Sequence, residues 1–421
     1  MLYDAYEVQR SLLTGASTMA DIGAGLLNNP ANPFAYSGMG PIMASALQVF
    51  AHASAPRGKP EFGFKTTVVD GREVAVSEEI VLRKPFGQLK RFRRAIEGKG
   101  GVENGPKLLI VAPMSGHYAT LLRGTVERMM PGHDVYITDW RDAKLVPLEE
   151  GGFDLDDYVD YLIEFLEHIG GRPHVLAVCQ PAVPAYAAAA LMSARKHPNR
   201  PATLTMMGGP IDTREAPTEV NTVATQRPFS WFKNNVIATV PYLYPGQGRP
   251  VYPGFLQLAG FMAMNFGNHL VSHWGMFKHL VEGADESAEA TMAFYEEYRS
   301  VCDMTAEFYL QTIDVVFQRH LLPKGEMTHR GVPVDPAAIT DIPLLAIEGE
   351  RDDISGLGQT RAALTIATSL PDSMKRYYMA KGVGHYGIFN GSKWRTRIAP
   401  VVEEWIAAHQ AVPQPGEKLA A

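Results

Sequence analysis

Of the two cysteines in this chain, Cys179 and Cys302, only the first stands where a thiol could do chemistry. In "HVLAVCQPAVPAYAAAALM", residues 174–192, an apolar run ends on Cys179 and an alanine-rich helical pattern begins almost at once. A strand-to-helix corner lifts a nucleophile clear of the backbone at the edge of a parallel sheet, as in Gly-x-Ser-x-Gly. Here the corner reads Ala177-Val178-Cys179-Gln180-Pro181, with sulfur in place of hydroxyl and neither glycine present. The helix N-terminus turns partial positive charge toward the sulfur. Pro181 and Pro184 fall near the first turn, where a missing N–H has no intrahelical acceptor. Gln180 keeps its N–H, and the residue after a nucleophile donates to an oxyanion.

A thiol nucleophile needs a base, and the base needs an orienting carboxylate. His385 in "YYMAKGVGHYGIF" and the pair Asp352 and Asp353 in "LLAIEGERDDISG" follow later strands, in the order nucleophile, acid, base. The Gly-x-x-Asp spacing favours Asp352 over Asp353. A second oxyanion donor is expected from the loop after "KLLIVAP", at Met114 or Ser115. His117 in that loop is a candidate substrate contact, although alone it reads as a surface histidine. The histidines never form HExxH, and no phosphate loop or GxGxxG after a strand occurs, so neither metal nor cofactor is expected. Cys302 lies in the helical pattern "EEYRSVCDM" and reads as packed.

These residues need a frame. "KTTVVDGREVAVSEEIVLRK" predicts a hairpin about Asp70-Gly71, followed by a basic loop, "KRFRRAIEGKGG". Short apolar strands at "KLLIVAP", "HDVYITDW", "HVLAVC", "ATLTMMGGPID", "IPLLAIEG" and "KRYYMA" then alternate with helices. "DLDDYVDYLIEFLEHIGG" is one such helix, with Leu155, Tyr158, Leu162, Phe165, Leu166 and Ile169 on the helical period and Gly170-Gly171 as its stop. Alternation of this kind predicts an α/β fold with a mostly parallel sheet covered on both faces.

The organisation expected is an N-terminal helical extension at 1–60, a core at 61–212, a helical cap at 213–338, more core at 339–410 and a disordered tail at 411–421. The cap is rich in aromatics and methionine, and Trp231, Phe232, Tyr242 and Tyr244 are its candidate substrate contacts. A net charge of −6 and a pI near 6.1 argue against nucleic acid as the main partner. No apolar run reaches the roughly 18 residues of a membrane span, and the first 25 residues lack the layout of a signal peptide. Two cysteines are too few for a disulfide framework, so a reducing cytoplasm is expected.

Taken together, "MLYDAYEVQRSLLTGAS", "VAPMSGHYATLLRGT", "YITDWRDA", "VLAVCQP", "GERDDISGLGQT" and "GHYGIFNGSKWR" resemble the intracellular polyhydroxybutyrate (PHB) depolymerases of the cysteine type. The resemblance spans nearly the whole chain. It implies an α/β-hydrolase fold, hydrolysis of poly(3-hydroxybutyrate) and attachment to storage granules in the cytoplasm, with Cys179 as nucleophile, Asp352 as acid and His385 as base. Polymer synthases also use a cysteine but keep glycines around it; Ala177 and Pro181 favour a depolymerase. The rivals are a synthase-like acyltransferase and a granule-coating protein without activity. A small thiol such as CoA is a further candidate partner, as acceptor of the acyl group, and a homo-oligomer is open.

Overall fold

The computed structural model describes residues 2–56, 58–95, 105–264, 292 and 295–410. Two helices come first, α1 (Leu2–Asn28) and α2 (Gly40–Ser54), packed side by side. The start of α1 is tied to the body by Tyr3, which donates to Asp303, and by Glu7, which accepts from Tyr244.

Next, β1 (Thr66–Val69) and β2 (Arg72–Arg83) form the expected hairpin. Asp70 and Gly71 between them have φ of +49° and +76°, the pair of positive angles that matches strand twist in a two-residue turn. The basic stretch that follows is not a loop: Lys90 to Arg94 belong to β3 (Gly87–Arg94), antiparallel to β2. Leu89 and Phe92 are fully buried, while Lys90, Arg91 and Arg93 pair with Glu78, Asp134 and Glu79. Cations on the other positions hid the two-residue alternation.

The parallel part is β4 (Lys107–Val111), α3 (Arg123–Met129), β5 (Asp134–Trp140), α4 (Leu155–Ile169), β6 (His174–Val178), α5 (Ala182–Ala194) and β7 (Leu204–Met207). Every residue of β5 and β6 is buried, which is why neither shows an alternation of apolar and polar positions; in β5 the buried set includes Asp134, Thr138 and Asp139. Asp154 and Asp157 form a capping box on α4, and the six apolar positions named for that helix are all buried.

After β7 the chain leaves the sheet. It runs through α6 (Glu219–Gln226), α7 (Phe229–Asn235) and α8 (Gly254–Met264). A three-stranded sheet of β8 (Ala238–Thr239), β9 (Pro250–Tyr252) and β10 (Met304–Thr305) lies in the same excursion, as does the pair β11 (Thr328–His329) and β12 (Val332–Pro333). Strands of two or three residues are too short to show alternation, so the sequence reads as helical there. The chain rejoins the sheet at β13 (Leu344–Gly349) and β14 (Lys375–Ala380). Phe266, Trp274, residues 98–104 of "GKGGVENG" and the tail 411–421 lie outside the described residues.

The sheet order is β1-β2-β3-β5-β4-β6-β7-β13-β14, parallel from β5 onward. The chain goes from β4 to β5 on one side and then crosses back to β6 on the other. The loops after β4 and β6 therefore diverge and leave a crevice at the carboxyl ends of these strands. Met114 follows β4, and Cys179 follows β6. This strand order, with a sharp turn after β6, is the α/β-hydrolase fold.

Candidate active site

Cys179 has φ of +66°, a left-handed conformation that a side chain adopts only where its surroundings impose it. Its N–H donates to the Met207 carbonyl at 2.7 Å, and its own carbonyl accepts from Ala182 N–H at 3.0 Å to start α5. Those two bonds clamp the turn between β7 and the helix. The elbow lacks its flanking glycines, and the neighbouring strand supplies the room instead. A Cβ on Gly209 would stand 2.2 Å from the Ala182 Cβ and 3.0 Å from the Cys179 carbonyl oxygen. Gly208, at φ +58°, leaves the adjoining space: a Cβ there would come within 3.2 Å of both the Asp352 carboxylate and the His385 ring. Sequence reasoning missed this pair, although two glycines directly after an apolar strand were a visible sign of close backbone approach.

His385 begins a turn after β14, and Asp352 lies just past β13. His385 Nδ1 is 2.8 Å from Asp352 Oδ2. Asp352 Oδ1 accepts from the N–H groups of Ile354 at 2.9 Å and Ser355 at 2.8 Å. The carboxylate is thereby fixed and accepts the hydrogen bond of Nδ1–H, which leaves Nε2 for the sulfur. Burial works against a charged His385, but the Asp352 charge, the Cys179 charge and hydrogen bonds to both outweigh it and hold the imidazole well above its ordinary value. Asp353 is exposed and is not the partner of the ring.

The loop after β4 is braced from behind. The Ala112 carbonyl accepts from Trp140 Nε1 at 2.8 Å and from the Tyr158 hydroxyl at 3.0 Å, both on buried side chains. Met114 N–H donates to the Gln180 side-chain oxygen at 3.2 Å, so a carbonyl oxygen beside the elbow already engages this donor. The Ser115 carbonyl accepts from Gln257. His117 is buried, not on the surface; its Nε2 bonds the Tyr298 carbonyl at 3.0 Å, and burial lowers its pKa to about 4.

A cavity of about 420 Å³ opens onto Cys179, Gln180, Met114, Ser115, His117 and His385. Most of its remaining wall is apolar, including Phe232, Tyr309, Phe317 and Tyr386. Phe232 is the one cap aromatic of the four expected contacts that lines it. Trp231 packs on Phe232 at 5.2 Å between ring centroids, Tyr242 is 76% exposed, and Tyr244 is engaged by Glu7, so these three lie away from the cavity. Tyr386 was missed; its only sign is that it follows His385. No group of three or more potential metal ligands occurs among the described residues.

Residues 208–410 match the family model described as PHB de-polymerase C-terminus. Over this segment, just under half of its length, the chain is similar to that family. The matched segment carries Gly208, Gly209, Asp352 and His385, and Cys179 precedes it. An enzyme acting on carboxylic ester bonds is the class this match supports. No curated protein sequence matches the chain. Among solved structures, it is similar to a thermophilic esterase from Thermogutta terrifontis (TM-score 0.41, 16% identity, 82% of this chain and 97% of that one). It is similar to a monoacylglycerol lipase from Paleococcus ferrophilus (TM-score 0.41, 13% identity, coverage 72% and 96%). A third is 2-hydroxy-6-oxo-6-phenylhexa-2,4-dienoate hydrolase from Rhodococcus sp. strain RHA1 (TM-score 0.42, 12% identity, coverage 79% and 99%).

Proposed function

We propose that this chain hydrolyses the ester bonds of poly(3-hydroxybutyrate) in native storage granules, with Cys179, Asp352 and His385 as its catalytic residues. The observation that carries the reading is the line from the Asp352 carboxylate through His385, at 2.8 Å, to a cysteine held at positive φ on the wall of an apolar cavity. His385 Nε2 takes the thiol proton, and the sulfur attacks an ester carbonyl. The developing oxyanion displaces the Gln180 side-chain oxygen from Met114 N–H and is also held by Gln180 N–H, each donor contributing about 3–4 kcal/mol in comparable sites. The C–O bond breaks as His385 returns the proton to the leaving 3-hydroxyl, and the acyl group stays on sulfur as a thioester. Water, deprotonated by His385, then adds to that carbonyl and releases the free acid and the thiol. A small thiol such as CoA could replace water as acceptor.

The substrate is an apolar solid, so the reading puts the enzyme on granules in the cytoplasm. Among the described residues no helix is long and apolar enough to cross a membrane. The test is the turbidity of amorphous polymer granules with wild type and Cys179→Ala, with product identification with and without CoA. Clearing that needs Cys179 and yields 3-hydroxybutyrate oligomers or monomers supports the proposal. Equal clearing by Cys179→Ala, or chain growth from 3-hydroxybutyryl-CoA without clearing, refutes it.

A further inference from the structure

The loop that carries Met114 is fixed from behind by the core and from in front by the cap. Behind it, Trp140 and Tyr158 hold the Ala112 carbonyl, and Pro113 has a ring-locked φ. In front, Gly116 at φ +87° puts a joint in the chain that only glycine adopts without strain. Three successive carbonyls around that joint are taken by the cap. The Ser115 carbonyl accepts from Gln257 Nε2, the Gly116 carbonyl from Cys302 N–H at 2.8 Å, and the His117 carbonyl from the Cys302 thiol at 3.6 Å.

One corner places both donors. Asp303 Oδ1 accepts at 2.9 Å from the N–H of Gly254, the first residue of α8, and a Cβ on Gly254 would stand 2.6 Å from the Cys302 carbonyl oxygen. Gln257 lies about one turn further along α8, so its side chain leaves from a fixed base. It fits only because residue 116 has no side chain: a Cβ there would come within 2.9 Å of Gln257 Oε1. The other end of that amide is idle. Oε1 is buried and bonds nothing among the described residues. A buried acceptor without a donor is costly, and an apolar side chain of similar length would pack there without that cost. A 3-hydroxybutyrate repeat within a polyester offers acceptors alone, so Oε1 does not serve it. What the amide supplies is the Nε2 bond to Ser115.

Met114 N–H lies between the two fixed ends of the loop, where it donates to the Gln180 side-chain oxygen at 3.2 Å. An oxyanion donor works by being in place before charge develops, so slack at Ser115 becomes slack at Met114. We infer that Gln257 is a positioning residue of the oxyanion hole: through the Ser115 carbonyl it holds Met114 N–H on the ester oxygen, which makes the cap part of the catalytic machinery as well as a cover. The inference rests on the Cys179 and oxyanion reading above and deepens it.

Steady-state kinetics of Gln257→Met on a short soluble ester, p-nitrophenyl butyrate, tests it. Methionine keeps the length and the packing and removes the N–H. kcat is expected to fall about 10-fold, less than the roughly 10²–10³-fold of a deleted donor, with KM within about twofold. Binding of butyraldehyde, which adds to Cys179 as a hemithioacetal with its oxygen in the oxyanion position, is expected to weaken by the same factor. Alkylation of Cys179 by iodoacetamide displaces iodide and forms no oxyanion, so its rate and pH profile are expected to stay at wild type. The melting temperature is expected to be no lower than that of wild type, because an idle buried acceptor is removed. Gln257→Glu, which keeps an acceptor and loses the donor, is expected to show the same kinetics and replaces Gln257→Met if that variant does not fold. An unchanged kcat, a lower kcat with unchanged aldehyde binding, or an alkylation rate that falls as far as kcat overturns the inference. Cys179→Ala in the same assay reads the premise separately: full activity there overturns the proposed function as well.

Discussion

The two cysteines share a chain and differ in everything that decides reactivity. Cys179 caps a strand at positive φ, borders the cavity and shares a hydrogen bond with His385. Cys302 lies on the return from the cap, 1% exposed, beside a bridge between His117 and Val301. Contrary to its sequence pattern it is not helical: its N–H donates to the Gly116 carbonyl and its thiol to the His117 carbonyl. Burial, and then the charges of Asp142 and Asp303, push the Cys302 thiol well above its ordinary value. A thiol becomes a nucleophile through access and a base, and Cys302 has neither. Its work is to seat the cap's return against the loop that carries Met114.

The largest difference is expected in turnover. Cys179→Ala should lower the initial rate on a soluble ester by about 10³-fold or more, whereas Cys302→Ala should keep it within about twofold. Loss of activity in both would erase the distinction. Asp352→Asn should cost about 10²–10⁴-fold in kcat because the imidazole loses its tautomer, while Asp353→Asn should leave kcat near wild type. Gly208→Ala, which sets a methyl 3.2 Å from both Asp352 and His385 at φ +58°, should lower kcat by about 10²-fold more than it affects binding of a product analogue. Alkylation by iodoacetamide, read by peptide mass, should label Cys179 in the native protein and Cys302 only after denaturation.

The smallest effect concerns the stability of the region around Cys302. Burial lowers the His117 pKa to about 4, against an ordinary 6.5. Between those values the unfolded chain binds a proton that the folded chain refuses. Stability is therefore fully present above pH 6.5 and is lost as pH falls toward 4, by up to about 3 kcal/mol. Urea midpoints between pH 7 and 4.5 should fall less steeply for His117→Gln. Some slope should remain, because burial holds His174 down to about 4 as well.

Much of this was written locally. The hairpin at Asp70-Gly71, the α4 stripe with its glycine stop, the alternation of apolar strands and helices, and the order Cys179, Asp352, His385 all depend on spacing within a few residues or on chain order, and spacing is what a sequence preserves. Three things came only with the fold. β3 was hidden because its cations find carboxylates on the adjacent strands, β2 and β5. The space that a glycine-free elbow needs came from Gly208 and Gly209, just past the neighbouring strand β7. Phe232 faces the cavity while Trp231 beside it does not, because a helix turns neighbouring side chains about 100° apart and only packing fixes which one looks inward.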